Sequence, residues 1–258
     1  VEVSPDGKRL YLSSLKGDLQ ILDLTEPVSP VWLGTVEWNR HENVGQWSDL
    51  DVTDRFAFVC AGTGGIRGLD VRQPDDPPWR GTANQALKDC TDVVVQMPYV
   101  YALGSSSGLH VFELMGQDAH SMPDLYQVNT WQLPTSLSGN AYSTLYLDRA
   151  RKLLFVSTLW NGVSILDVSD PAHARLLSSI DPGRAYGMAL SGRYLFVGDD
   201  LVVHIIDVSD PAKPVEVAAQ ELTDHYGWEI AAITLKVHEG VLYVATNQGT
   251  LQAYRILK

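Results

Sequence analysis

At 258 residues the chain is long enough to bury one substantial core, and proteins built from many short strands commonly reach this size undivided, so a single domain over 1–258 is expected. Its formal charge is −12, from 31 acidic against 19 basic residues with no Lys/Arg-rich run, which argues against nucleic acid or another polyanion as partner. The longest apolar runs are of strand length, well short of the roughly 20 residues that a membrane-spanning helix needs, so no membrane span is expected.

From the N-terminus, residues 10–13 and 19–24 are short runs rich in aliphatic and aromatic residues, followed by a third such run at 31–36 and a polar connector at 39–43. The same order returns in residues 47–52, 56–59 and 65–71, with a Pro-rich outer passage at 73–79; missing N–H donors are tolerated best on an outer edge. A third copy runs through 91–96, 99–102 and 108–113. Its tail, 115–140, reads as the longest irregular connection in the chain.

The fourth copy is sharper: residues 142–147, 153–157 and 162–168, then Ser169, Asp170 and Pro171. The fifth repeats it at 185–190, 194–197 and 202–206, closing on Asp207, Val208, Ser209, Asp210 and Pro211. Residues 194–197 and 202–206 are apolar on both faces, so they need cover above and below, as in sheets stacked face to face. Asp207 can accept hydrogen bonds from backbone N–H groups two or three residues on, and Pro211 cannot continue a ladder, so the chain must turn there. A polar, aromatic loop at 223–229 leads to the last copy at 233–238, 241–245 and 249–256. No helix of any length is expected.

The strand-ending acids Asp23, Asp70, Glu113, Asp167 and Asp207 lie 40 to 54 residues apart, the spacing of a four-stranded propeller blade. The fold class expected is therefore all-β, a β-propeller of six four-stranded blades with the last blade incomplete in this chain. Only three residues precede the first turn and the last copy stops after its third strand. A strand from upstream of Val1, or from a partner chain, is thus expected to close the ring.

The segments Ile165-Leu-Asp-Val-Ser-Asp-Pro171 and Ile205-Ile-Asp-Val-Ser-Asp-Pro211, each after a Leu-Phe-Val strand, resemble the LVIVD-repeat family of bacterial and archaeal β-propellers. The resemblance is strong in the fourth and fifth copies, partial in the first two and weak in the third and last. It implies an extracellular, cell-surface or periplasmic location, and it brings no catalytic residues with it.

In a propeller, the chain enters each inner strand from the rim to which the turn between the second and third strands returns. That rim collects Trp47, Asp49, Asp92, Tyr142, Trp160, Tyr186, His225 and Trp228 as candidate ligand- or partner-binding residues, with Arg184 among the polar groups beside them. Some of these aromatics could instead plug the wide end of the blade core. Asp49 and Asp92 occupy equivalent places in adjacent inner strands. They could bind a cation or divide into acid and base, but a repeated Asp at a strand start more usually binds its own blade's backbone.

Other chemistry has little support. His110 and His204 fall on equivalent third-strand positions and read as blade-packing residues. No His-x-His, Glu-x-x-His or Cys-x-x-Cys spacing occurs, so neither a metal nor a cofactor is expected, although a site assembled across blades stays open. Residues 62–65 and 104–108 are Gly-rich hairpin turns with no helix behind them to carry a nucleophile elbow or cradle a phosphate. For Cys60 and Cys90 the order makes no bridge obvious; a disulfide stays open, and two buried small residues is the commoner arrangement. The functional expectation is a binding or scaffold module that docks a protein, peptide or glycan; the alternative is a propeller hydrolase, lyase or oxidoreductase with its site at the channel mouth.

Overall fold

A computed structural model describes residues 1–14, 18–37, 49–72, 82–84, 87, 89–104, 107–116, 124–131, 143–222 and 231–256. The fold is a six-bladed β-propeller. Two compact units, Val1–Ser138 and Gly139–Lys258, hold three blades each.

In the first unit, blade one comprises β1 (Glu2–Val3), β2 (Arg9–Ser13), β3 (Asp18–Asp23) and β4 (Val31–Glu37). Blade two comprises β5 (Leu50–Val52), β6 (Phe56–Cys60), β7 (Ile66–Asp70) and β8 (Thr82–Asn84); blade three comprises β9 (Cys90–Gln96), β10 (Tyr99–Gly104), β11 (Gly108–Met115) and β12 (Asp124–Trp131). In the second unit, blade four comprises β13 (Thr144–Asp148), β14 (Leu153–Thr158), β15 (Gly162–Asp167) and β16 (Arg175–Ile180). Blade five comprises β17 (Met188–Ser191), β18 (Tyr194–Gly198), β19 (Val202–Asp207) and β20 (Val215–Glu221); blade six comprises β21 (Ala232–His238), β22 (Val241–Thr246) and β23 (Leu251–Arg255). Each sheet is an antiparallel meander, four-stranded except for blade six, which has three strands among the described residues. The only helical element among those residues is a three-residue 3₁₀ turn, Pro171–His173, placed where the Asp-Pro corner stops blade four's third strand.

One backbone hydrogen bond recurs in all six blades. The residue after the strand-ending position donates its N–H to the carbonyl before the second strand: Leu24 to Lys8 at 2.7 Å, Val71 to Arg55, Leu114 to Pro98 and Val208 to Arg193 at 2.8 Å, Val168 to Lys152 at 2.9 Å and Ile256 to Gly240 at 2.8 Å. The strand-ending aspartates serve the corner itself. Asp167 Oδ1 accepts from Ser169 N and Asp207 Oδ1 from Ser209 N, both at 2.9 Å, and Asp23 and Asp70 do the same for Thr25 at 2.7 Å and Arg72 at 3.2 Å. A carboxylate that satisfies the N–H two residues on replaces the ladder partner lost at the turn.

Burial on both faces follows from stacking. Along β18, Leu195 and Val197 enter a core with Phe155, Val163 and Ile165 of blade four, while Phe196 enters another with Leu235, Leu242 and Val244 of blade six. Blade six comes close enough at Gly198 that a Cβ there would lie 2.4 Å from Ala232 O. In the first unit, blades one and two share a core through Tyr11, Ile21, Val59 and Leu69, and blades two and three through Phe56, Phe58, Val95 and Phe112.

Three expectations need correction. Cys60 and Cys90 form a disulfide, with their Cα atoms 5.1 Å apart, that links the second strand of blade two to the inner strand of blade three. The cysteines meet because Gly62, just past Cys60, bridges to Cys90, a pairing between blades that residue order does not reveal. Part of the supposedly irregular stretch 115–140 is β12, which pairs with β11 from Leu109↔Trp131 to Met115↔Asp124. It reads as a connection because an outer strand is wet on much of its surface; only Leu125 is buried within it. The outer strand of blade two is β8, later in the chain than the Pro-rich passage 73–79, which, like the connector 39–43 and the loop 223–229, lies outside the described residues.

Candidate functional site

The second unit gathers the most chemically distinctive surface. Trp160 sits in the turn between β14 and β15, closed by a hydrogen bond from Asn161 N to Thr158 O at 3.1 Å, and is 58% exposed. Gly162, which opens β15 directly after that turn, has φ +63°, and a Cβ there would lie 2.2 Å from Ile180 O, so the turn that presents the indole depends on glycine.

Arg184 and Tyr186 precede β17 at the start of the next blade. The Arg184 guanidinium carbon lies over the Trp160 ring, 4.6 Å from its centroid. Its Nη1–H donates to Asp200 Oδ2 at 2.8 Å, and the Tyr186 hydroxyl donates to Asp200 Oδ1 at 2.8 Å. Asp200 belongs to the turn between β18 and β19, which returns to the same end of the unit. One carboxylate therefore fixes both a cation and a phenol.

Each member is held from behind. The Tyr186 ring is buried against Leu159 and Ala231, and its carbonyl accepts from Thr144 Oγ1 at 3.1 Å and Ser157 Oγ at 3.4 Å. Burial raises the Tyr186 hydroxyl pKa above the usual phenol value, and the hydrogen bond to Asp200 adds to this, so the phenol stays a donor. Hydrogen bonding to Tyr186 and the charge of Asp200 raise the Arg184 pKa. Asp199 Oδ1 accepts from Asp200 N at 2.6 Å; its Oδ2 fills the space above Gly183, where a Cβ would lie 2.5 Å from that oxygen.

Behind Asp199 stands His204 on β19, with Nδ1 2.8 Å from Glu216 Oε1 and Nε2 3.5 Å from Asp199 Oδ2. His110 fills the matching slot in blade three with neutral partners: Nδ1 lies 3.4 Å from Gln127 Oε1 and Nε2 3.0 Å from Ser107 Oγ. In both blades the imidazole spans from the second-to-third-strand turn to the outer strand. Burial lowers the His110 pKa, against the opposing effect of its hydrogen bonds.

Of the residues singled out from sequence, Trp160 and Tyr186 come together through Arg184. Asp49 and Asp92 lie in the first unit at equivalent registers: Cys60 N donates to Asp49 O at 2.9 Å, and Asp92 faces Leu103 at the matching point of the next blade. Asp92 is buried and Asp49 half-buried. The carboxylate that ties those two blades is Asp51, with Oδ1 accepting from Val52 N at 2.8 Å and Oδ2 from Val95 N at 2.7 Å. Trp47, Tyr142, His225 and Trp228 lie outside the described residues. Sequence reading does not single out Asp200, although it lies in the turn between the second and third strands of blade five, which returns to the rim of Tyr186.

Among the described residues, no group of three or more His, Cys, Asp or Glu is arranged to hold a metal ion. No helix among them is long and apolar enough to cross a membrane.

The LVIVD repeat profile matches residues 152–181 and 182–219, which span β14 to β16 and β17 to most of β20 and so carry Trp160, Arg184, Tyr186 and Asp200. Together with the six blades, these repeats are consistent with the LVIVD-repeat propeller family. No curated protein matches the sequence significantly. Among solved structures, the chain is similar to the β-propeller domain of Myceliophteria thermophila Cps50 (Swd1), with TM-score 0.73, 12% identity and coverage of 99% of this chain and 82% of that one. It is also similar to Chaetomium thermophilum Raptor, with TM-score 0.72, 12% identity and coverage of 97% of this chain but 23% of that one. A third similarity is to the computationally designed Ika8 protein, with TM-score 0.62, 11% identity and coverage of 96% and 68%. At these identities the likeness is one of fold alone.

Proposed function

We propose that this chain is an extracytoplasmic binding module that docks its partner on the blade-four and blade-five rim formed by Trp160, Arg184, Tyr186 and Asp200. The observation that carries this reading is an exposed indole backed by a guanidinium that is itself locked to a carboxylate. Large aromatics and arginine supply much of the energy of interfaces, and side chains already fixed lose little entropy on binding. The carboxylates favour docking over catalysis. Asp200 is engaged by Tyr186 and Arg184, and Asp199 by a backbone N–H and by His204, whereas an acid–base pair needs groups left able to exchange protons with a substrate.

The Cys60–Cys90 disulfide supports an extracytoplasmic location, because such bonds persist in oxidising compartments and are rare where thiols are kept reduced. The charge of −12 argues against nucleic acid as the partner. The test is to screen the parent and Trp160→Ala against immobilised peptide, protein and glycan libraries. The reading requires at least one binder that Trp160→Ala weakens by about tenfold or more; binders indifferent to the substitution would move the working surface elsewhere.

A further inference from the structure

We propose that the ligand of the Trp160 rim is a neutral saccharide. This rests on the reading that the rim is the working surface, and it follows from what the rim's charges leave acceptable. Arg184 lies over one face of the Trp160 indole, and the residue is 58% exposed, so a ligand that stacks on the indole must do so on the face away from Arg184. A cation stacked there would share the ring with a guanidinium already drawn to it, and the two like charges would face each other across one aromatic ring. Lysine- and arginine-rich partners are therefore disfavoured.

Anionic partners fare no better. Arg184, the cation over the indole, is neutralised by Asp200 at 2.8 Å, and the charge of Asp199 also acts on it. A carboxylate, sulfate or phosphate would meet a guanidinium already paired with Asp200 and under the charge of a second carboxylate, Asp199.

A purely apolar partner would fit the indole but would desolvate the Arg184–Asp200 pair without replacing its water. What satisfies all three constraints is a molecule that is uncharged, has an apolar C–H face of ring size, and carries hydroxyls at its edge. A pyranose is such a molecule. Asp200 accepts one hydrogen bond at each oxygen from Tyr186 and Arg184, and an ionised carboxylate has sites for about two more. Arg184 presents further N–H donors beside them, so adjacent sugar hydroxyls would find an acceptor and a donor already fixed side by side. The Tyr186, Asp200 and Arg184 geometry is set before the ligand arrives, which limits the ordering cost that weakens most protein–sugar contacts.

The experiment is titration calorimetry of the parent, Trp160→Ala and Asp200→Asn with a panel of neutral hexasaccharides (gluco-, xylo-, manno- and chito-oligomers) at millimolar concentration. Hexalysine, hexaglutamate and a library of neutral peptides form parallel arms. Melting temperatures of both variants show that each is folded. Expected is binding of at least one neutral hexasaccharide, weakened about tenfold or more by Trp160→Ala and also weakened by Asp200→Asn, with neither charged hexapeptide binding. A Trp160-dependent peptide binder with no saccharide binder would overturn the saccharide assignment while leaving the working surface in place. Absence of any Trp160-dependent binder, or a saccharide bound equally by all three proteins, would overturn both.

Discussion

The guanidinium of Arg151, in the turn just before blade four's second strand, donates from Nη1 to the backbone oxygen of Val208 in blade five at 3.0 Å, and Arg9 of blade one makes the same bond to Val71 of blade two, also at 3.0 Å. In each unit the acceptor is the residue after a strand-ending aspartate, so an arginine of one blade latches the corner of the next. Arg151 is further held by Asp148 of its own blade.

Removing this latch should cost stability in proportion to one charge-assisted hydrogen bond. Arg151→Met, which keeps most of the aliphatic stem, is expected to destabilise the protein by about 1.5 to 3 kcal/mol. Urea unfolding checks this: the midpoint should fall with the slope unchanged, and an unmoved midpoint would show that water replaces the latch.

The disulfide encloses a sequence separation of 30 residues, for which loop-closure entropy corresponds to about 3 to 4 kcal/mol. Cys60→Ala/Cys90→Ala is expected to melt well below the parent, and the unreduced denatured parent should resist alkylation at both positions. Free thiols in freshly isolated native protein would contradict the bridge.

Glycine matters unequally along the chain. Gly162 and Gly7 both have positive φ, +63° and +73°, but a Cβ at Gly162 meets Ile180 O at 2.2 Å whereas one at Gly7 meets nothing within 4 Å. Gly7→Ala should therefore cost only the backbone strain, about 1 kcal/mol, and Gly162→Ala distinctly more. Equal losses would mean that the Trp160 turn relaxes freely.

Acid should weaken the fold in two separate windows. Hydrogen bonds from Ser169, and then Arg175, hold the Asp167 carboxyl at about 2, below the usual carboxylate value near 3.9. Its contribution is fully present above about pH 4 and is lost as pH falls towards 2. Burial lowers the His110 pKa, so the unfolded chain takes up that proton first: the stability is complete above about pH 6.5 and declines below it. Melting temperature against pH should show both slopes, with Asp167→Asn flattening the lower and His110→Gln the upper.

The blades were legible because their signals are local. A strand-ending aspartate followed two residues later by a backbone donor is written in adjacent residues, and doubly apolar runs such as 194–197 announce cover on both sides. What escaped depends on neighbours in space. The meeting of Cys60 with Cys90 is set by how blade two sits beside blade three, and the pairing of Arg184 and Tyr186 with Asp200 by the fold-back of β17 on β18, which brings the segment before β17 to the turn after β18. The strand β12 escaped for a different reason: an outer strand exposes residues such as Tyr126, and its polar composition resembles that of a loop.

The most direct measurement of where this protein works is hydrogen–deuterium exchange with and without a bound hexasaccharide or other captured ligand. Expected is protection of the backbone amides around Trp160, around Arg184 to Gly187 and around Asp199 to Val202, with the first unit unchanged. Protection confined to other segments, with these three turns exchanging as in the free protein, would contradict the assignment of the Trp160 rim as the binding surface.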